Sequence, residues 1–230
     1  MIYAMSDIHG EYEKFIQMLK KIEFGDDDTL FILGDVLDRG DGSIKHLEDV
    51  SLRPNVFTLL GNHEVMALDV LDSLLVEITD ENCETHIDND VINKLLEYQL
   101  NGGDVTLKQF KALDPDHRFD LVDYLKDCNA YDVIDVGDKT FILSHTGCID
   151  PDKPLAEHTL LELTFTSADE NAKQFDDPNI YIIAGHTPTL AINGKAEILR
   201  QGNRFDIDCG ATFGGKLACL RLDDFKEFYV

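Results

Sequence analysis

The chain has 230 residues, 45 Asp and Glu against 20 Lys and Arg, a formal net charge of −25 and 43% hydrophobic residues. The length suits one large domain over residues 1–230, and the hydrophobic content suffices for a real core, which excludes wholesale disorder. Phosphate affinity comes mainly from Lys and Arg, so this charge excludes a broad basic face for duplex DNA or anionic membrane. No nucleic-acid or membrane partner is therefore expected. A phosphate substrate held by bound metal stays open, because a cation resets the local field.

The five cysteines are Cys83, Cys128, Cys148, Cys209 and Cys219. Their number is odd and none forms C-x-x-C, which reads as reduced thiols in a cytoplasmic protein. No basic-then-apolar leader is visible at the N-terminus, and no apolar run approaches the roughly 20 residues that span a bilayer.

In chain order, residues 2–6 read as a strand. Tyr12, Phe15, Ile16, Leu19 and Ile22 keep helical spacing over 11–22. Residues 29–34 read as a buried strand after the turn Asp26-Asp27-Asp28, 43–50 as a short helix, and 55–60 as a third strand. Alternation of this kind implies right-handed crossovers and a largely parallel sheet. Residues 67–135 then change character, with 17 Asp and Glu against 5 Lys and Arg. Leu68, Leu71, Leu74, Leu75 and Ile78, then Val91, Ile92, Leu95 and Leu96, keep helical spacing. Gly102-Gly103 breaks the pattern and Asp116–Cys128 resumes it. Residues 67–131 thus read as a helical insertion whose charge is a solvated face. Strands return at Val133–Val136 and Thr140–Ser144, joined by a tight turn, and at 180–184. Ala196–Leu199, Arg204–Asp208 and Lys216–Leu222 suggest an antiparallel end to the chain, with turns at Gly202-Asn203 and Gly214-Gly215.

Five apolar runs end in residues that bind hard or borderline metals: Asp7 and His9, then Asp35, then Asn62 and His63, then His145, then His186. Strand C-termini in α/β sheets face one crevice, where ligands bind. Any one of these residues alone is better explained as a turn, a cap or a satisfied imidazole. Five strand ends sharing one chemistry by accident is improbable. Oxygen and imidazole donors without thiolate suit Mn, Fe, Zn or Mg.

Asp7-x-His9, Gly34-Asp35-Val36-Leu37-Asp38-Arg39-Gly40, Gly61-Asn62-His63-Glu64, His145 and Gly185-His186 resemble the phosphoprotein phosphatase family of metallophosphoesterases, most of all its compact bacterial and phage members. The resemblance covers residues 1–66 and 140–220. It implies an α/β calcineurin-like metallophosphoesterase fold, two packed mixed sheets flanked by helices. It implies two divalent metal ions, Mn first. Asp7, His9 and Asp35 would hold one, and Asp35, Asn62, His145 and His186 the other. The paired cations would lower the pKa of a shared water, whose hydroxide attacks phosphorus in line. His63 would protonate the leaving oxygen with Asp38 orienting its ring, and Arg39 and Asn62 would bind the phosphoryl group.

The implied reaction is hydrolysis of phosphomonoesters, with phosphoserine or phosphothreonine in proteins as the leading substrate and small phosphoesters beside it. Symmetrical diadenosine tetraphosphatases share the core. They tend to lack the Asp of GDxxDRG and to carry GNHD, whereas this chain keeps Asp38 and Glu64. A binding or regulatory module with vestigial catalysis is opposed by retention of all six ligand types and His63. Two departures mark the chain. His145-Thr146-Gly147 stands where the family has His-Gly-Gly, and residues 146–185 lack the family's second phosphate-binding arginine. Lys153, Arg200 and Arg204 are the candidates to replace it. His46, His86, His117 and His158 read as surface residues, and Cys148 as a packing residue.

Overall fold

The computed structural model describes residues 1–76, 89–167 and 175–230. Expectations for Ile78, Cys83 and His86 lie outside the described residues.

Among the described residues, ten strands form two five-stranded sheets. The first sheet runs β10-β9-β1-β2-β3, with β1 Ile2–Met5, β2 Thr29–Ile32, β3 Val56–Thr58, β9 Ala218–Arg221 and β10 Lys226–Tyr229. The second runs β4-β5-β6-β8-β7, with β4 Tyr131–Val136, β5 Lys139–Ser144, β6 Ile180–Ala184, β7 Leu199–Gln201 and β8 Arg204–Asp206. The helices are α1 Tyr12–Lys21, α2 Ser43–Ser51, α3 Asn62–Leu71, α4 Asn89–Tyr98, α5 Asp104–Ala112, α6 Pro115–Asp127, α7 Leu160–Thr164 and α8 Thr189–Asn193. No helix among the described residues is long and apolar enough to cross a membrane.

Strand periodicity sorts the side chains into layers. Ala4, Phe31, Leu33, Phe141, Leu143, Tyr181, Ile183 and Phe205 fill the space between the sheets. Their neighbours Tyr3, Met5, Leu30 and Ile32 face the opposite way, into a core shared with α1 to α6. Ile142 and Ile182 do the same on the far side of the second sheet, against Ile149 and Leu163. The result is the helix, sheet, sheet, helix layering that the resemblance implied. α1 buries Phe15, Met18 and Leu19, and Lys20 and Lys21 sit in its last turn, where cations favour the helix dipole. Each such apolar side chain contributes about 1.5–3 kcal/mol on burial. The insertion helices join this core, since Tyr98, Leu107, Phe110, Leu121, Val122 and Leu125 are all buried in it. α6 starts on Asp114, whose carboxylate accepts the His117 N–H at 3.1 Å, with Pro115 in its first turn.

Several expectations need correction. The chain end is not wholly antiparallel: β8 pairs parallel with β6 and antiparallel with β7. β9 and β10 leave the second sheet and complete the first, with β9 antiparallel to β1. The expected strand Ala196–Leu199 begins only at Leu199, and Lys226–Tyr229 is a strand the sequence pattern missed. His46 and His158 are buried, not superficial. His158 is satisfied by backbone: Asp150 N–H donates to its Nε2 at 2.9 Å, and its Nδ1 lies 3.2 Å from the Leu155 carbonyl. His46 shares the inward face of α2 with Ser43, Leu47 and Val50 and packs 4.3 Å from the Phe15 ring. His117 is exposed and paired with Asp114, as expected.

Candidate functional site

The C-terminal ends of three mutually parallel strands from each sheet converge. β1, β2 and β3 deliver Asp7 with His9, Asp35, and Asn62 with His63. β5, β6 and β8 deliver His145, His186 and Asp208. All of the residues expected at the site come together there. Asp35 lies at the meeting point: Oδ2 is 3.4 Å from His9 Nε2, and Oδ1 is 3.4 Å from His145 Nε2. His9 Nε2 is 3.9 Å from Asp7 Oδ1. On the other side, Asn62 Oδ1 is 3.0 Å from His145 Nε2 and 3.1 Å from His186 Nδ1.

Among the described residues, two groups of side chains could hold an ion: His9, Asp35 and His63, and Asp7, Asp35 and His145, with Asp35 in both. The donors fit hard or borderline divalent metals, being carboxylate, imidazole and amide without thiolate. Their outer contacts fit as well. His9 Nδ1–H donates to the Leu37 carbonyl at 2.9 Å, and His145 Nδ1–H to the Leu33 carbonyl at 2.7 Å. Each bond orients its ring with Nε2 facing inward, where deprotonation would leave a lone pair for a metal.

The close approach of the strand ends requires small residues. A Cβ on Gly61 would stand 2.2 Å from Asp35 Oδ1, and one on Gly185 would stand 1.9 Å from Ser6 Oγ. Backbone strain marks the same place. Asp7, His9, Asp35, Asp38, Arg39 and His186 have φ between 46° and 72°, a left-handed conformation that non-glycine residues rarely adopt. Among the other described non-glycine residues, only Glu23 and Phe225 share it. Such strain costs roughly 1–3 kcal/mol per residue and collects at functional sites.

The electrostatics follow from burial and proximity. Burial pushes the Asp7 carboxyl up to about 6, although Ser6 Oγ–H (2.5 Å) and the His186 N–H (2.9 Å) both donate to it. Burial also opposes the charge on Asp35, but the imidazoles of His145, His63 and His9 hold its carboxyl well below the usual range. Burial disfavours the imidazolium of His145 as well, yet Asp35 and Asp7 raise it to about 10. His9 and His186 follow burial, down to about 3 and about 4.

His63 sits fully buried beside this cluster. Its Nδ1–H donates to Asp38 Oδ2 at 2.7 Å, and its Nε2 lies 3.9 Å from Asp35 Oδ2. Arg39 is exposed, and its guanidinium reaches His9 Nε2 at 2.6 Å and His63 Nε2 at 3.0 Å. It also lies 5.0 Å from the centre of the exposed Phe213 ring. The three candidates for a second phosphate clamp are engaged elsewhere. Lys153 pairs with Glu162, Arg200 stacks on Phe205 and Phe225, and Arg204 is held by Asp206 and the Thr146 and Gly147 carbonyls.

Sequence reasoning gave two residues no role at the site. Glu64 is buried and accepts four backbone N–H bonds, from Asp35, Val36, Leu37 and Gly61, at 2.6–3.1 Å. It therefore ties the loop after β2 to the start of α3. Burial and the Asp35 charge push it up to about 7 against those bonds. The signal was its position three residues after Gly61, where an acid reaches back to a helix start. Asp208 is the second. Burial and Asp7 hold its carboxyl well above the usual range, and it accepts the Gly210 N–H at 2.8 Å. It closes the run Arg204–Asp208, so the strand-end pattern that singled out the other ligands applied to it as well.

A family model for the calcineurin-like phosphoesterases matches residues 1–219. The chain belongs to that family, a class of metal-dependent phosphoester hydrolases. Among curated proteins it is similar to the symmetrical bis(5'-nucleosyl)-tetraphosphatase of Wigglesworthia glossinidia brevipalpis, 39% identical over 89 residues. That stretch is 38% of this chain and 32% of the relative. The enzyme of the same name from Salmonella newport is 43% identical over 70 residues, 30% of this chain and 25% of that protein. Among solved structures, a putative diadenosine tetraphosphatase superposes with TM-score 0.69 at 17% identity, over 100% of this chain and 92% of its own. A Saccharomyces cerevisiae serine/threonine phosphatase with similarity to human PP5 superposes with TM-score 0.56 at 14% identity, over 100% and 78%. At such identities these two structures speak for the fold.

Proposed function

We propose that the protein is a phosphoesterase with two divalent metal ions, and that its substrate is a dinucleoside polyphosphate cut at the centre of the phosphate chain. The observation that carries the two-metal reading is Asp35, with one carboxylate oxygen toward His9 and the other toward His145. A carboxylate can serve two cations in this way, while the neutral amide of Asn62 serves one. Asp7 and His9 complete one ligand set, and Asn62, His145 and His186 the other. Bound at such a site, the ions supply an activated water and offset charge on the phosphoryl oxygens.

The chain's own groups do the rest. Arg39 presents a planar fork of donors to the phosphoryl group, and Asn62 shares in holding it. His63 commits Nδ1 to Asp38, and its Nε2, which the Arg39 guanidinium faces at 3.0 Å, is the atom that would protonate the leaving oxygen once Arg39 turns to the phosphoryl group. Glu64 holds the Asp35 loop and the His63 helix at a fixed separation.

The substrate class rests on the two curated relatives, both named tetraphosphatases, and this displaces the protein-phosphatase reading that Asp38 and Glu64 favoured. The single arginine clamp accords with it. A substrate gripped weakly at one phosphoryl group must be held by its remainder, and Phe213 offers a planar apolar surface beside Arg39 for a base. The second reading, a phosphoserine or phosphothreonine phosphatase, is favoured by the Asp38–His63 pair, because an alkoxide needs a proton more than a phosphate leaving group does.

Protein stripped of metal and reloaded with Mn, assayed in parallel on diadenosine tetraphosphate and a phosphoserine peptide, tests the choice. Faster turnover of the tetraphosphate to two nucleoside diphosphates is expected. Turnover of the peptide alone would reverse the choice, and metal-independent turnover of both would overturn the two-metal reading.

A further inference from the structure

The acidic helical stretch between α3 and β4 is not a bystander to the site. Asp38 is fully buried, and its two carboxylate oxygens have different partners. Oδ2 accepts from His63 Nδ1 at 2.7 Å. Oδ1 accepts two hydroxyls, Tyr98 Oη at 2.6 Å and Thr106 Oγ1 at 2.6 Å. Thr106 Oγ1 also accepts the Asp38 backbone N–H at 3.1 Å. Both hydroxyl residues are fully buried, and they sit at the end of α4 and the start of α5.

The turn joining those helices carries the glycine pair that reads in sequence only as a helix breaker. Gly102 has φ 97°, and its carbonyl accepts the Arg39 N–H at 3.0 Å. Gly103 lies flat against the Tyr98 ring, where a Cβ would meet ring carbons at 2.6 Å. The segment therefore grips two consecutive residues of the Asp35 loop, Asp38 by hydroxyls and Arg39 by a carbonyl.

We infer that Tyr98 and Thr106 are positioning residues for the leaving-group acid. They hold the Asp38 carboxylate in the plane that receives His63 Nδ1–H, and so aim His63 Nε2 at the reacting oxygen. With Oδ1 occupied twice, the carboxylate cannot rotate away without leaving two buried hydroxyls unpaired. The inference rests on the acid role proposed for His63.

The test uses full-length, Mn-loaded Tyr98→Phe and Thr106→Val, which keep shape and lose one hydroxyl each, with Thr106→Ser as the conservative control. Each is assayed on an alkyl phosphate and on nitrophenyl phosphate. A hydrogen bond to a charged group governs about tenfold to a hundredfold in rate. A loss of that size in kcat is expected on the alkyl ester for both hydroxyl deletions, with KM within about twofold. A much smaller loss is expected on the nitrophenyl ester, and Thr106→Ser should restore the alkyl rate. As a readout without metal, the downfield His63 Nδ1–H resonance should shift and exchange faster in both hydroxyl-deletion variants. Equal losses on the two esters, or variants identical to wild type in both readouts, overturn the inference. His63→Asn run alongside separates the two levels. If it too loses both esters equally, the acid role itself falls. If it loses the alkyl ester selectively while the hydroxyl variants do not, only the positioning role falls.

Discussion

At the scale of single residues, the site combines strain with function. Arg39 adopts φ 66° at a backbone cost of about 1–2 kcal/mol, and its exposed side chain touches only His9, His63 and Phe213 at the site. Arg39→Gly is expected to leave Tm unchanged or raised while activity falls tenfold or more, since glycine removes the strain together with the guanidinium. Thermal melts and turnover of the same sample check this, and a lowered Tm would contradict it. Phe213 tests the substrate's remainder. Phe213→Ala should raise KM for a dinucleoside tetraphosphate about tenfold, within the roughly 1–3 kcal/mol that a base–aromatic stack contributes. KM for nitrophenyl phosphate, which has no base, should stay within about twofold. Equal changes in both would place Phe213 outside substrate recognition. The metal-ligand candidates were legible in the sequence because each ends an apolar run. The Glu64 tie to the Asp35 loop and the Tyr98 and Thr106 brace on Asp38 were not, because their meaning lies in partners 27 to 68 residues away that no local pattern records.

At the scale of elements, α2 holds a histidine that gains nothing from its surroundings. His46 is fully buried, and neither ring nitrogen has a hydrogen-bond partner. Burial lowers it to about 3, against about 6.5 in the unfolded chain. The unfolded state therefore binds the proton first. The stability that neutral His46 permits is complete above about pH 6.5 and is lost as pH falls toward 3, at about 1.4 kcal/mol per pH unit. Between about pH 6.5 and 5.0 wild type should lose about 2 kcal/mol more than His46→Leu, measured by urea denaturation in chelator. Parallel losses in the two proteins would contradict this. The sequence carries the signal, since His46 falls three residues after Ser43 and four before Val50 on one helix face, where periodicity outranks side-chain polarity. Other elements were readable for the opposite reason: β1, β2, β5 and β6 alternate between two apolar faces, and their residue types admit little else. β10 escapes the pattern because Lys226–Tyr229 is short, opens on two charged residues and gains its place from pairing with β9.

At the scale of the whole molecule, two sheets bring six strand ends together and crowd Asp7, Asp35 and Asp208 into one buried cluster. Like charges buried together oppose folding, so cations that neutralise them should stabilise the fold. Ligand at about a hundredfold over its Kd contributes about 2.7 kcal/mol per site, or a Tm rise on the order of 5–10 °C in a chain of this size. Differential scanning calorimetry with Mn and with chelator checks it, and identical Tm values would contradict the metal site. The insertion fits the same picture, since its helices share the core of the first sheet and its turn grips the Asp38–Arg39 loop. The most direct test of the account is metal stoichiometry by elemental analysis on wild type and Asp35→Asn, reloaded with Mn and desalted. Two equivalents are predicted for wild type and loss of both for the variant, because one carboxylate serves two ions. One equivalent retained in Asp35→Asn, with half the activity, would contradict the bridging role.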